Sequence, residues 1–268
     1  MVADIGKNTA KELLAEYLRQ AMSLRAVRAT DPHAADFIAL KRWQSDRLAR
    51  TYADLLANER YRPAAQFFLT ELYGPKDFTP RDVEVARVMP LMTRMLPASA
   101  LATLAEALRM DALSESLDND MVVALRAVGR EGRIDNIDDE AYAEAYRSCA
   151  RAPDRELQIT LVDDIGRTLD RLTHRPMVYT MLKLMRGPCE LAGLGHLQSF
   201  LQSGFEAFRH MKEANEFLAF VMGRETAIMQ AIFAGRHDLL SRVDWPGSPA
   251  ATATATAAAT ATATATRL

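Results

Sequence analysis

The sequence predicts an all-α protein: one multi-helix bundle of about eight to ten helices over residues 8–245, followed by a disordered tail at 246–268. Three observations predict it. Ala, Leu, Met, Arg and Glu dominate the chain while Gly and Pro number only 12 and 11, and that is a helix-forming composition. Apolar residues recur at the helical period almost throughout. Outside the tail no segment alternates at the period of a strand.

The elements follow in order. Residues 8–29 carry Leu13, Leu14, Tyr17, Leu18, Ala21, Leu24 and Arg25 as a stripe with one polar flank. Asp31 and Pro32 suit the cap and first position of a second helix reaching about residue 60. Pro63 marks a kink or a fresh start, and the helix around it ends at Gly74-Pro75. Thr79-Pro80 opens a helix through Met95, bent or divided by Pro90. Helices over about 98–112 and 118–129 follow, with Ser99 and Asp118 or Asn119 as caps. After the polar loop "GREGRIDNIDD" come helices at 139–151, 154–173, 176–186 and 195–222. The last of these continues past Gly223 to about 234, and a short helical turn follows at 237–243. The tail "PGSPAATATATAAATATATATRL" holds no apolar side chain larger than Ala before Leu268, too little to offset its ordering entropy.

Charge and composition exclude several classes. The chain has 33 basic and 35 acidic residues, interspersed, for a net charge of −2. This argues against general nucleic-acid binding, which needs a basic face. Of the basic residues 27 are Arg and 6 Lys, a bias typical of a GC-rich genome. Cys149 and Cys189 fit neither a disulfide framework nor a zinc spacing and read as reduced thiols. No apolar run reaches the ~18 residues of a membrane span. "MVADIGKNTAKELLAEY" lacks the pattern of a signal peptide, so a cytoplasmic protein is expected.

The densest local signal is "FFLTELYGPKDFTPRD" at 67–82. Phe67, Phe68, Leu72 and Tyr73 line one side of a helix end, and Gly74 fits a left-handed terminating position. Thr79 reads as an N-cap with Asp82 at N3, a variant capping box, and Phe78 with Val83 matches a hydrophobic staple. Glu71, Tyr73, Asp77 and Arg81 are left without a structural task, and Asp77 is spaced to pair with Arg81 across the cap. The block resembles a family of uncharacterised, largely proteobacterial, all-helical proteins, a domain of unknown function. Its members carry a Phe-Phe-Leu-x-x-Leu-Tyr-Gly-x-x-Asp-Phe-x-x-Arg-Asp run. Here the run continues in Arg87, Pro90, Met92, Arg94, Leu96 and Pro97. A second block, "RPMVYTMLKLMRGPCELAGLGHLQSFLQSGF" at 175–205, is similar to the same family's C-terminal signature. The resemblance implies one helical unit, and no reaction or cofactor.

Catalytic patterns are sparse. Arg81, Arg87 and Arg94 recur along one helix, and the last two are spaced to hold an anion unless Glu84 neutralises Arg87. Tyr73, Asp77, Arg81, Arg87 and Arg94 therefore form a candidate ligand or partner surface. Glu206, His210 and Glu213 share a helix face at i, i+4 and i+7, a candidate metal set that needs carboxylates such as Glu71 from a second helix. Asp163, Asp170 and His174 share another face, but Arg167 and Arg171 between them suggest an ion-pair ladder. His237-Asp238, with His210 before and Asp244 after, is a minimal match to metal-dependent HD phosphohydrolases. There is no nucleophile elbow, and "GPCELAGLG" lacks the ending of a phosphate loop and reads as a helix break. Met and Phe crowd the C-terminal helices, from Met177, Met181 and Met185 onward. The leading expectation is a non-catalytic helical protein that binds a protein partner, a second copy or an apolar ligand in an inter-helix groove. The alternative is a metal- or cofactor-dependent enzyme on a helical bundle, its cofactor unspecified.

Overall fold

The computed structural model describes residues 6–74, 78–96, 98–128, 134 and 136–249. Among these residues all regular secondary structure is helical, without a strand. It forms α1 (Lys7–Ala29), α2 (Ala34–Thr51), α3 (Ala53–Ala57), α4 (Arg62–Phe67), α5 (Thr79–Met95) and α6 (Ala98–Val128). Then come α7 (Asp139–Ser148), α8 (Ala152–Thr173), α9 (Pro176–Leu191), α10 (Gly195–Met211) and α11 (Asn215–Phe233). The all-α class stands. The eleven helices exceed the expected eight to ten, because the chain breaks where local patterns do not demand it. No helix among the described residues is long and apolar enough to cross a membrane.

The second helix opens at Ala34, two residues later than expected, although the Asp31 carboxylate does accept the His33 N–H at 2.7 Å. It stops at Thr51 because Tyr52 turns into the interior and donates its hydroxyl to Glu225 Oε1 at 2.7 Å. Asn58 ends α3 and accepts the Arg60 N–H at 2.9 Å, so the helix carrying Pro63 is a fresh start. That helix widens out of register in a π turn at Phe68–Leu72, closed by the Tyr73 N–H on the Phe68 carbonyl at 3.0 Å. Gly74 is not in the left-handed region. A side chain there would bring Cβ within 2.6 Å of the Thr70 carbonyl oxygen, which is what requires glycine.

The two helices expected at 98–112 and 118–129 are one helix of 31 residues, about 46 Å long. No Gly or Pro interrupts it. Asp118 does not cap a helix; it is buried mid-helix, bound by Lys41 and by Gln44 Nε2 at 2.8 Å. Conversely, the expected 195–222 helix breaks at Lys212, whose φ is +72°. α9 runs on through Gly187 and Pro188 to Leu191. Beyond α11, residues 237–242 form turns and no helix. Trp245 is buried, and Ser248 Oγ donates to Asp54 Oδ2 at 2.6 Å.

α6 is the spine, touching α1, α2, α7 and α8. One apolar cluster joins α2, α6, α7 and α11 around Leu40, Met121, Tyr142, Met229 and Ile232, and Trp43 stacks on Tyr142 at 4.0 Å. A second joins Leu48, Leu55, Tyr61, Phe208, Phe217 and Leu218. A third, between α1 and α6, holds Ala10, Leu14, Leu101 and Ala105. α10 packs on α4, α5, α8 and α9. That contact brings the two distinctive sequence blocks together.

Candidate functional site

The corner block opens α5 one residue earlier than expected, at Thr79, with Phe78 in the cap position. Asp82 does not complete a capping box. It is 1% exposed and its carboxylate is bound by Arg25 of α1. Arg25 also reaches Asp111 Oδ1 at 2.8 Å and Glu115 Oε1 at 3.2 Å, both on α6. Arg28 pairs with Glu115 at 2.7 Å. Arg81 joins the same node, 3.2 Å from both Asp82 and Asp111. Its guanidinium also lies 4.7 Å from the Phe78 ring centre and 5.2 Å from that of Phe200 on α10. Three cations thus meet three carboxylates, and the node ties α1, α5 and α6 together. Burial pushes the Asp111 carboxyl up, but Arg25 and Arg81 outweigh it and hold the group below its ordinary value. Val83 is 42% exposed, so Phe78 rests under guanidinium groups and not in a hydrophobic staple.

One turn further along α5, Glu84 and Arg87 face the break between α9 and α10. Glu84, 6% exposed, accepts the backbone N–H groups of Leu197 at 2.7 Å and His196 at 3.2 Å, and meets His196 Nδ1 at 2.6 Å. It is a cap for α10 supplied by another helix, and a carboxylate suits that positive end. Burial raises its pKa, but the Leu197 and His196 bonds outweigh this and leave it below the ordinary value. Arg87 Nη1 donates to the carbonyls of Ala192 and Gly193, each at 3.3 Å, at the opposite, negative end of α9. Gly193 makes the turn between them at φ +67°. Glu84 therefore serves α10 while Arg87 serves α9, and the intrahelical neutralisation expected from their spacing is replaced by a clamp.

The other sequence candidates are dispersed. Arg94 is exposed; its carbonyl accepts Lys7 Nζ at 3.1 Å. Tyr73 faces an interior cavity, away from Arg87 and Arg94, and burial pushes its phenol up, with Glu225 adding to the rise. Asp77 lies outside the described residues. The metal candidates do not converge: α10 ends at Met211, so Glu213 leaves the face that holds Glu206 and His210. Glu206 instead accepts Gln202 Nε2 at 3.0 Å, and His210 Nε2 lies 3.1 Å from the Glu59 carbonyl oxygen. No group of three metal-ligating side chains forms among the described residues. Asp163 pairs with Arg167 at 2.7 Å, one rung of the expected ladder, while Arg171 turns to Thr168 at 2.8 Å.

What the clamp positions is α9. Its inner side is thinly supported: Tyr179 stacks on Phe205 at 5.8 Å, and Gln198 Nε2 holds the Leu182 carbonyl at 2.6 Å. Its outer side is bare. Met177, Met181, Leu184 and Leu191 are 75, 55, 71 and 92% exposed, with Met185 and Pro188 beside them also open. An exposed apolar row on a helix this lightly packed is one that expects a second covering. This face is the candidate site.

Residues 23–239 match the family model described as Domain of unknown function (DUF8198). The chain belongs to this family. No curated protein and no solved structure matches it. Both distinctive blocks lie inside the DUF8198 match, and the fold packs them together: Phe67 against Phe200 at 5.4 Å, Arg81 over Phe200, Glu84 and Arg87 on the α9–α10 turn. Sequence reasoning had singled out Arg87 and read the partner of Glu84 as local. Met177, Met181 and Met185 were noted only as part of a Met- and Phe-rich C-terminal half, and Leu184 and Leu191 were missed; the four- and three-residue spacing of the row was the signal that could have found them.

Proposed function

We propose that this DUF8198 chain is a non-catalytic helical protein, a single bundle that pairs with a second copy of itself through the outer face of α9. The observation that carries this reading is the exposed row Met177, Met181, Leu184, Pro188 and Leu191. The spacing alternates four and three residues, the seam of paired helices. The ends of the row, Met177 and Leu191, lie seven residues to either side of Leu184. Two antiparallel copies would set Leu184 against Leu184 and Met177 against Leu191, the self-complementarity a two-fold interface requires. Lys183, Arg186 and Glu190 fall on the far side of the helix by its 100° periodicity, and Arg186 already pairs with Glu190 at 3.1 Å. Pairing therefore buries no charge. Covering a Met or Leu side chain fully contributes about 1.5–3 kcal/mol, so four from each copy exceed the lower range of association costs.

Sedimentation velocity on the full chain tests this. Wild type should dimerise reversibly, and Leu184→Glu, which sets two carboxylates together on the axis, should be monomeric with unchanged circular dichroism. A wild-type chain that stays monomeric at every accessible concentration refutes self-pairing. A Leu184→Glu chain that still dimerises moves the interface off α9.

A further inference from the structure

A cavity of about 320 Å³ opens between the end of α1, the start of α2, the start of α5 and the middle of α6, and takes no residue from α9. Phe78 and Thr79 of the corner block form part of its wall, so the most distinctive stretch of the sequence reaches it. Its ionisable lining is Arg25, Arg28, Lys41 and Glu115. Arg25 and Lys41 are only 7% and 6% exposed and are held by Asp82, Asp111 and Asp118, none of which lines the cavity. Cations therefore face the space, and most of their carboxylates stand away from it.

Arg28 is the group a ligand can reach. Its side chain is 20% exposed and its Nη2 meets Glu115 Oε2 at 2.7 Å, while its Nε and Nη1 make no hydrogen bond among the described residues. Its guanidinium carbon lies 3.6 Å from the Phe37 ring centre. A guanidinium centred so closely over a ring stacks on it and points its N–H groups outward in the plane. The rest of the wall is apolar, with Phe78, Ala29, Ala34 and the half-exposed Ile38. Facing the space, three cations outweigh one carboxylate, which favours an anion. Counted whole, the node of three cations and three carboxylates is balanced, and Lys41 balances Asp118, so a dianion would bring two charges that nothing offsets. Size sets the rest. A water occupies about 30 Å³ and a cavity of about 150 Å³ takes benzene, so this cavity suits about ten to thirteen heavy atoms.

We infer that this cavity binds a monocarboxylate with an apolar body of about that size, its carboxylate taking the open N–H groups of Arg28 and its body resting on Phe78, Ile38 and Ala34. Guanidinium and carboxylate are matched in geometry and in charge. A ligand held this way touches α1, α2 and the corner block at once. The site is separate from the outer face of α9 and stands whether or not the chain pairs there.

Titration calorimetry and thermal unfolding of the full chain with sodium hydrocinnamate, whose size falls in that range, test the assignment against sodium chloride at equal ionic strength. Binding should saturate at one site per chain, and at tenfold excess over Kd the unfolding midpoint should rise by about 3–6 °C. Sodium acetate, a carboxylate without the body, and hydrocinnamyl alcohol, a body without the charge, should each bind at least about tenfold more weakly. Arg28→Met should weaken binding by a similar factor, and it should fold, because Glu115 keeps Arg25 at 3.2 Å. Ala34→Phe, which fills the cavity and leaves every charge in place, should abolish binding. The inference is overturned if hydrocinnamate acts no differently from chloride, if acetate or the alcohol binds as tightly, or if folded Arg28→Met or Ala34→Phe binds as wild type does.

Discussion

Replacing Glu84 by alanine separates a clamp from a passive surface charge. The side chain accepts the Leu197 N–H at 2.7 Å and the His196 N–H at 3.2 Å, two of the four donors that the α10 start leaves open. Loss of a cap costs about 1 kcal/mol. A carboxylate at a helix start adds up to about 2 kcal/mol where it is partly buried, and Glu84 is only 6% exposed. The third contact, to a His196 ring that is 68% exposed, contributes little. The sum is about 2–3 kcal/mol, a fall in unfolding midpoint of about 5–10 °C for a chain of this size. Glu84→Gln keeps an acceptor and loses the charge, so it should cost about half as much. The pH dependence has a definite sign. The folded carboxyl is depressed below its ordinary value, so its contribution is present above about pH 4.5 and is lost as the pH falls through the depressed value. The gap between wild type and Glu84→Ala in urea unfolding should therefore close in acid. Hydrogen exchange should speed up at His196 and Leu197 first. A Glu84→Ala chain within about 0.5 kcal/mol of wild type, or a gap that does not change between neutral and acid pH, would refute the clamp.

Other outcomes follow from the same geometry. Arg25→Met strands two buried carboxylates and a half-buried third with two cations and should cost about 3–5 kcal/mol in urea unfolding. Gly193→Val forces a branched side chain into φ +67° with Cβ about 3.1 Å from the Arg87 guanidinium, and should cost about 1–3 kcal/mol. Asp118→Ala leaves Lys41 buried without its carboxylate and should cost about 3 kcal/mol or more by the same assay. His210→Ala removes one exposed contact to a carbonyl and should stay within about 0.5 kcal/mol of wild type, with the metal content by mass spectrometry unchanged.

Much of the helical pattern was legible in the residues. Apolar periodicity marked α1, α8 and the helical course from 195 past Gly223 to about 234, though not its division into α10 and α11, because an amphipathic face is a repeat within a few turns. The start of α9 at Pro176 was read correctly for the same local reason, but its end was set at 186, five residues early, because the helix runs on through Gly187 and Pro188 to Leu191. Asp118 misled, because a side chain suited to capping sits mid-helix only when a distant cation holds it, and Lys41 is 77 positions away. Lys212 gave no warning of a break, since a non-glycine residue in the left-handed region is chosen by packing.

The candidate site divides the same way. The two distinctive blocks, the candidate arginines and the spacing of Met177, Met181, Leu184 and Leu191 are all written in the chain. Their meaning is not. Glu84 meets Arg87 on paper at three residues' distance, but in the fold it caps a helix 112 positions away. Asp82 reads as a cap and is instead the partner of Arg25, 57 positions earlier. Helix formation rests on bonds and caps within a turn, so residue order suffices to specify it. Which charges pair, which apolar stripe stays bare and which arginine keeps open donors beside a cavity depend on contacts between distant segments, and only the packed chain decides them.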